Sequence, residues 1–228
     1  MGKQAFQDMK KEETVDKEGR TNDYVSCVAH AVLAANGAKP AEWEIVVFDS
    51  KEANAFALPG RKIGVYTGML KVAQTPDQLA AVLGHEVAHV TQKHGNERVS
   101  QQLVAEGGMQ VASVALGGKG ETHDVAMAAL GVGAQYGVLM PFSRTQESEA
   151  DVVGLDYMAR AGFDPRAAVE LWTNMAAAGG GTPPEFLSTH PSHDSRIHDL
   201  EKHMPEALKT YESARADGHT PNCSLQAR

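Results

Sequence analysis

The spacing of apolar residues along this chain changes twice, and the changes divide it into three stretches. Residues 3–35 repeat at helical spacing, with a break expected near Glu18-Gly19-Arg20. Thr21, Asn22 and Asp23 offer a cap for the second piece, and Gly37 with Pro40 ends it. From 43 to 68 the period shortens to two. Trp43–Phe48, Ala53–Leu58 and Lys62–Thr67 read as strands, and Pro59-Gly60 folds the last two into a hairpin, which predicts a compact β-meander. From Asp77 onward the helical period returns. Thr75-Pro76-Asp77 opens a helix that runs to about His94, where Gly95 stops it. Further helices are expected over about 96–116, 123–140, 143–161, 165–178 and 192–215. Gly107, Gly108, Gly117, Gly118 and Gly120 loosen the 96–140 stretch into a flexible connector or a mobile segment over an active site. Gly179 to Pro184 separates two of the later helices. The succession predicts one α+β domain over 1–228, mostly helical with a small sheet.

Composition narrows the functional classes. At 228 residues and 42% hydrophobic content, the chain can bury a substantial core. A formal net charge of −8 and no basic stripe with interleaved aromatics argue against nucleic acid or an anionic membrane as partner. The most apolar run, Val125 to Phe142, contains Gln135 and three glycines and suits a packed helix better than a membrane span. Met1-Gly2-Lys3 leads directly into polar sequence without a leader pattern, and Phe6 breaks the N-myristoylation pattern. The expectation is a cytosolic protein or an exported one lacking its leader. Cys27 and Cys223 would be unrelated thiols in a reducing cytosol, or one bridge in an oxidising compartment.

The chemistry concentrates at His85-Glu86-Val87-Ala88-His89. On a helix, residues four apart share a face, so His85 and His89 can aim two imidazoles at one Zn²⁺. Glu86 reaches a water beside that ion without being a ligand, as a general base must. The motif lies among Leu79, Ala80, Val82, Leu83, Val87, Ala88 and Val90, an apolar setting in which unpartnered polar groups are costly. The bland alternative is a helix with two surface histidines.

A catalytic zinc usually takes three protein ligands. The metzincin spacing fails, because Gln92 and Gly95 stand where it needs Gly and His. Glu147 and Asp151 share a face of the 143–161 helix. Glu147 can be the third ligand, while Asp151 can accept the second N–H of a ligand histidine. Glu149 points elsewhere, and a solvated acidic face is the alternative. His94 reads as a surface residue, and His30, His123, His198, His203 and His219 as structural or exposed. In the turn Ser188–Ile197, His190 or Arg196 can stabilise an oxyanion; a capped helix start fits the spacing equally well.

These motifs, in this order, resemble the HtpX-like and CAAX-prenyl endopeptidase family of gluzincin zinc metallopeptidases over roughly residues 3–204. The resemblance rests on His85–His89, Glu147 with Asp151, Ser188-Thr189-His190-Pro191-Ser192 and the hairpin segment Asn54–Gly60. It is strongest to the soluble periplasmic, BepA/LoiP-like branch. It implies zinc on His85, His89 and Glu147, with Glu86 as base and Asp151 behind a ligand. Asn54, Ala55, Phe56 and Ala57 would pair with an extended polypeptide substrate. It places His190 near the metal, as a catalytic group or an inhibitory fourth ligand, with Arg196 nearby. It further implies a periplasmic or outer-membrane-associated location, a possible lipid anchor in the precursor, a role in envelope protein quality control and a Cys27–Cys223 bridge. The rivals are a zinc-binding chaperone or regulator, a latent peptidase gated by His190 and the Gly-rich segment, and a non-peptidase zinc hydrolase.

Overall fold

A computed structural model describes residues 2–98, 100, 142–178, 185–191 and 195–225. The expected helices at 123–140 and over most of 96–116 lie outside the described residues, as do the Gly-rich segment, Gly179–Pro184 and His123. Helix α1 (Gly2–Glu12) is followed by α2 (Gly19–Ala35), strands β1 (Glu44–Phe48), β2 (Ala55–Leu58) and β3 (Lys62–Tyr66), and the short α3 (Met69–Val72). Then come α4 (Pro76–Thr91), α5 (Arg144–Arg160), α6 (Ala167–Ala178), the single turn α7 (Phe186–Thr189) and α8 (Ser195–Ala216). The α+β expectation holds.

The sheet is not the expected meander. Its order is β1-β3-β2: β3 pairs antiparallel with β2 through the hairpin but parallel with β1. Between α1 and α2 the chain stays extended, and Val15 bridges to Phe48 while Asp16 N–H donates to the Val47 carbonyl. That segment covers the outer edge of β1. It also corrects the expected break: α1 ends at Glu12, and α2 starts at Gly19 without a side-chain cap bond. Thr21 donates instead to the Glu18 carboxylate, from inside the helix.

Side chains alternate across the sheet as period two demands. Val46, Phe48, Leu58 and Tyr66 meet Phe6 of α1 in one cluster, and the Phe56 ring packs against it over Gly64. Val47, Ala55, Ile63 and Val65 face α2 and α4 in the main core. A Cβ on Gly64 would run into the Phe56 ring, which would have to move off this face to admit it.

Helix α4 is enclosed by α2, β2, α5 and α6, and every residue from Gln78 to His89 is buried. A helix apolar on all sides belongs in the interior. Thr75 caps it by accepting from Gln78 N–H, and Pro76 occupies the first turn, where its missing N–H costs nothing. The helix ends at Thr91, not His94, because Lys93 adopts a left-handed conformation (φ 61°) and turns the chain back. Helix α5 opens with a reciprocal capping box between Ser143 and Gln146. Cys27 of α2 and Cys223 are joined by a disulfide with Cα atoms 5.7 Å apart. No described helix is long and apolar enough to cross a membrane.

Candidate metal centre

Helix α4 presents His85 and His89 one turn apart, α5 crosses it and contributes Glu147, and the end of α7 delivers His190. One ligand atom from each of these four buried residues lies within 4.8 Å of every other. His89 Nε2 is 3.0 Å from His85 Nε2, His190 Nδ1 is 3.1 Å from His85 Nε2 and 3.0 Å from Glu147 Oε1, and His89 Nε2 is 3.3 Å from the same oxygen. Zinc 2.0–2.1 Å from each corner of a tetrahedron sets its ligands about 3.3 Å apart. The donor set therefore fits a small divalent cation with nitrogen and carboxylate ligands.

The groups behind the cluster fix its orientation. His85 Nδ1 stands 2.9 Å from Asp151 Oδ1, so Nε2 is left to face the cluster. Arg196 is 1% exposed. Its Nε and Nη2 donate to Asp151 and its Nη1 donates to Glu147 at 2.5 Å, while the guanidinium lies 3.6 Å over the Trp172 ring. Arg196 was expected to face an oxyanion. Its donors are instead committed to the two carboxylates, because that is where a buried guanidinium finds charge compensation. Aromatic rings close the cluster on two sides. His190 is stacked between Phe186 (4.4 Å) and Phe142 (5.1 Å), and Phe142 also stacks on His89 at 3.8 Å. The Arg98 guanidinium lies 3.6 Å over the Phe142 ring.

Glu86 is buried on the neighbouring face of α4. Its Oε2 accepts the Ala57 backbone N–H at 3.1 Å. Its Oε1 is 3.2 Å from His190 Nε2 but has no hydrogen-bond partner. A buried carboxylate oxygen in that state, beside the four-donor cluster, marks a place for a proton-bearing ligand.

The electrostatics follow from burial. Burial pushes the Glu86 carboxyl above its ordinary value, against the pull of His190 and His85. Burial drags the His89 imidazole down to about 2. Burial also opposes protonation of His85, but Asp151 and Glu147 outweigh it and raise that ring. Glu147 and Asp151 are held below the carboxylate range despite burial, the first chiefly by bonds from His190 and His89, the second by Arg196. The Glu147 carboxylate among three imidazoles, with Asp151 behind His85, is a donor set that favours a cation.

Among the described residues, strand β2 is an edge of the three-stranded sheet and runs past Glu86. The Asn54 carbonyl accepts from Tyr66 N–H on β3. By antiparallel alternation, Asn54 and Phe56 aim their backbone groups at β3 while Ala55 and Ala57 aim theirs outward. Sequence reasoning missed His94. It is 2% exposed rather than on the surface, and its Nδ1 lies 2.9 Å from His89 Nδ1. Five positions beyond His89, it would have left the motif face on a continuing helix, and nothing in the sequence signals the Lys93 turn that returns it. His30, His198 and His219 are exposed.

Residues 19–204 match the profile of Peptidase family M48. The chain is 39% identical over 189 residues to the mitochondrial metalloendopeptidase OMA1 of Schizosaccharomyces pombe, covering 82% of this chain and 54% of that protein. It is 33% identical over 183 residues to the mitochondrial metalloendopeptidase OMA1 of Homo sapiens, covering 77% and 35%. It is 27% identical over 216 residues to a putative beta-barrel assembly-enhancing protease of Vibrio cholerae, covering 91% and 44%. The chain thus spans about a third to a half of the length of these curated relatives.

Proposed function

We propose that this chain, which belongs to peptidase family M48, is a zinc-dependent metalloendopeptidase folded as a single peptidase domain over 1–228. The observation that carries the reading is the buried four-donor cluster beside a carboxylate oxygen without a hydrogen-bond partner. His85, His89 and Glu147 would hold the ion, with Asp151 orienting His85. When bound, zinc would supply a Lewis acid that activates water and polarises a scissile carbonyl.

The chain's own groups then have distinct tasks. Glu86 Oε2 is anchored by Ala57, so Oε1 is the atom that takes the proton from water and returns it to the leaving amine. The raised Glu86 carboxyl suits both steps. The outward backbone groups of Ala55 and the carbonyl of Ala57, whose N–H is held by Glu86, would with the flanking Asn54 and Phe56 add an extended polypeptide to the sheet edge, orienting a peptide bond beside Glu86. Arg196 stiffens Glu147 and Asp151 rather than touching substrate. The relatives are named as metalloendopeptidases and proteases, which does not favour a chaperone as the primary activity.

The decisive test is Glu86→Gln. This variant keeps the Ala57 bond, and it should retain zinc and lose cleavage of an unfolded casein-like substrate. Unchanged cleavage would refute the base assignment.

One observation favours a latent state of the same enzyme. His190 Nδ1 sits at the fourth corner of the cluster, held between two aromatic rings. If it blocks the site, His190→Ala raises activity; if it stabilises an oxyanion, the same change lowers it. For location we propose the bacterial envelope, on the strength of the Cys27–Cys223 bridge and the beta-barrel assembly-enhancing relative. The mitochondrial names among the relatives keep this narrower than what the matches share. Survival of the bridge in alkylated whole-cell extracts would test it.

A further inference from the structure

The two α4 imidazoles are braced differently. His85 Nδ1 meets the Asp151 carboxylate directly. His89 Nδ1 meets a second ring, His94 Nδ1, at 2.9 Å, and His94 Nε2 meets Glu149 Oε2 at 3.3 Å. We propose that His94 is the positioning residue of His89, held in turn by Glu149; the inference rests on the metal-site reading above.

The proton positions follow from valence. A neutral imidazole that offers Nε2 to a cation carries its hydrogen on Nδ1. His89 Nδ1–H then donates to the lone pair of His94 Nδ1. That choice places the hydrogen of His94 on Nε2, where it donates to Glu149. Each N–H points away from the cluster and toward a carboxylate whose side chain is half exposed (51%). The effect is a carboxylate–histidine–histidine relay that orients the His89 ring, fixes its tautomer and raises its basicity, as a direct carboxylate does for His85.

The backbone is bent to make this contact. Lys93 holds a left-handed conformation (φ 61°), which for a residue with a side chain costs roughly 1–2 kcal/mol. The turn it makes carries His94 back beneath His89 instead of onward along the helix. Helix α5 completes the arrangement. Glu147 faces the cluster, Asp151 meets His85, and Glu149, between them in sequence, meets His94.

The test is zinc affinity, measured by competition with a chromophoric chelator on the full chain, with the visible bands of the cobalt(II)-substituted protein as a report on ligand geometry. His94→Ala should weaken zinc about 10–100-fold and shift the cobalt bands. His94→Gln should recover part of the loss, because its amide oxygen can accept the His89 N–H. A merely space-filling His94 would give no such rescue. Glu149→Ala, at a half-exposed position that threatens folding little, should give a smaller loss in the same direction. Wild-type affinity in a folded His94→Ala protein overturns the proposal, as does a folded His94→Gln protein no better than His94→Ala. If His94→Ala does not fold, Glu149→Ala decides, and unchanged affinity there also overturns it. Failure of the unmutated protein to bind one zinc per chain would instead overturn the underlying reading of the site.

Discussion

Gly154→Ala tests whether the approach of α4 and α5 sets the metal centre. The helices cross where Gly84 of α4 meets Gly154 of α5. A Cβ on Gly154 would lie 2.7 Å from the His85 nitrogen and 2.8 Å from the Gly84 carbonyl carbon, and one on Gly84 would lie 2.7 Å from the Gly154 carbonyl oxygen. These are backbone atoms of two helices, so no side chain can swing aside. Restoring ordinary contact of 3.4–4 Å requires the helices to part by about 0.7 Å (3.4 − 2.7) to about 1.3 Å (4 − 2.7). Metal–ligand distances tolerate roughly 0.2 Å. Since α4 carries His85 and His89 while α5 carries Glu147, the added methyl should spoil the site first. Overpacking costs about 1–3 kcal/mol, offset by about 1 kcal/mol from the higher helix propensity of Ala, so the metal-free fold should lose only about 0–2 kcal/mol. Zinc affinity should fall at least about tenfold, equivalent to about 1.4 kcal/mol. Urea unfolding of the metal-free protein and chelator competition measure the two quantities separately. Zinc binding within twofold of the unmutated protein, with the fold intact, would refute the argument that this crossing sets the ligand geometry.

Other expectations follow from the same geometry. Arg196→Met leaves Glu147 and Asp151 buried without their guanidinium, and urea unfolding of the metal-free protein should show a loss of about 3–5 kcal/mol; a loss below 1 kcal/mol would mean the pairing is not needed. The Cys27–Cys223 bridge spans a sequence separation of 196, for which loop-closure entropy allows roughly 5 kcal/mol. The double Cys→Ser variant should unfold at lower urea by about 2–5 kcal/mol, and unaltered stability would show that the unfolded chain gains nothing from release. Bonds from Lys10 and Lys62 hold the Glu44 carboxyl below its ordinary value. Its stabilisation is present above the unfolded-state value and is lost as pH falls through the folded one. Glu44→Gln should thus lower the unfolding free energy near neutral pH by at most about 1 kcal/mol in a partly solvated pair, read by urea unfolding. That gap should close in acid, and a gap of constant size would contradict the assignment.

The helices and strands that carry the site were legible because their signals are local. Thr75 and Ser143 do cap the two ligand-bearing helices, and the i, i+4 pairs His85/His89 and Glu147/Asp151 do share faces, as a fixed 100° per residue requires. The misread features share the opposite property. The parallel pairing of β1 with β3 is a choice of neighbour, which strand alternation does not encode. The edge bridge at Val15, which displaced the expected helix break, depends on β1 already being there. Arg196 could not be assigned because its partners lie 45 and 49 positions away.

By itself, then, the sequence determined the helix–strand succession, the donor chemistry and the pairing of His85 with His89 and of Glu147 with Asp151 on shared helix faces, since covalent spacing and period settle these without reference to the rest of the chain. Only the tertiary structure decided how α4 and α5 meet at two glycines, why His94 turns inward, that His190 reaches the fourth corner, and which strand lies at the edge of the sheet beside Glu86. Those outcomes depend on distances between segments far apart in the chain, and such distances are set by packing and burial acting on the whole molecule.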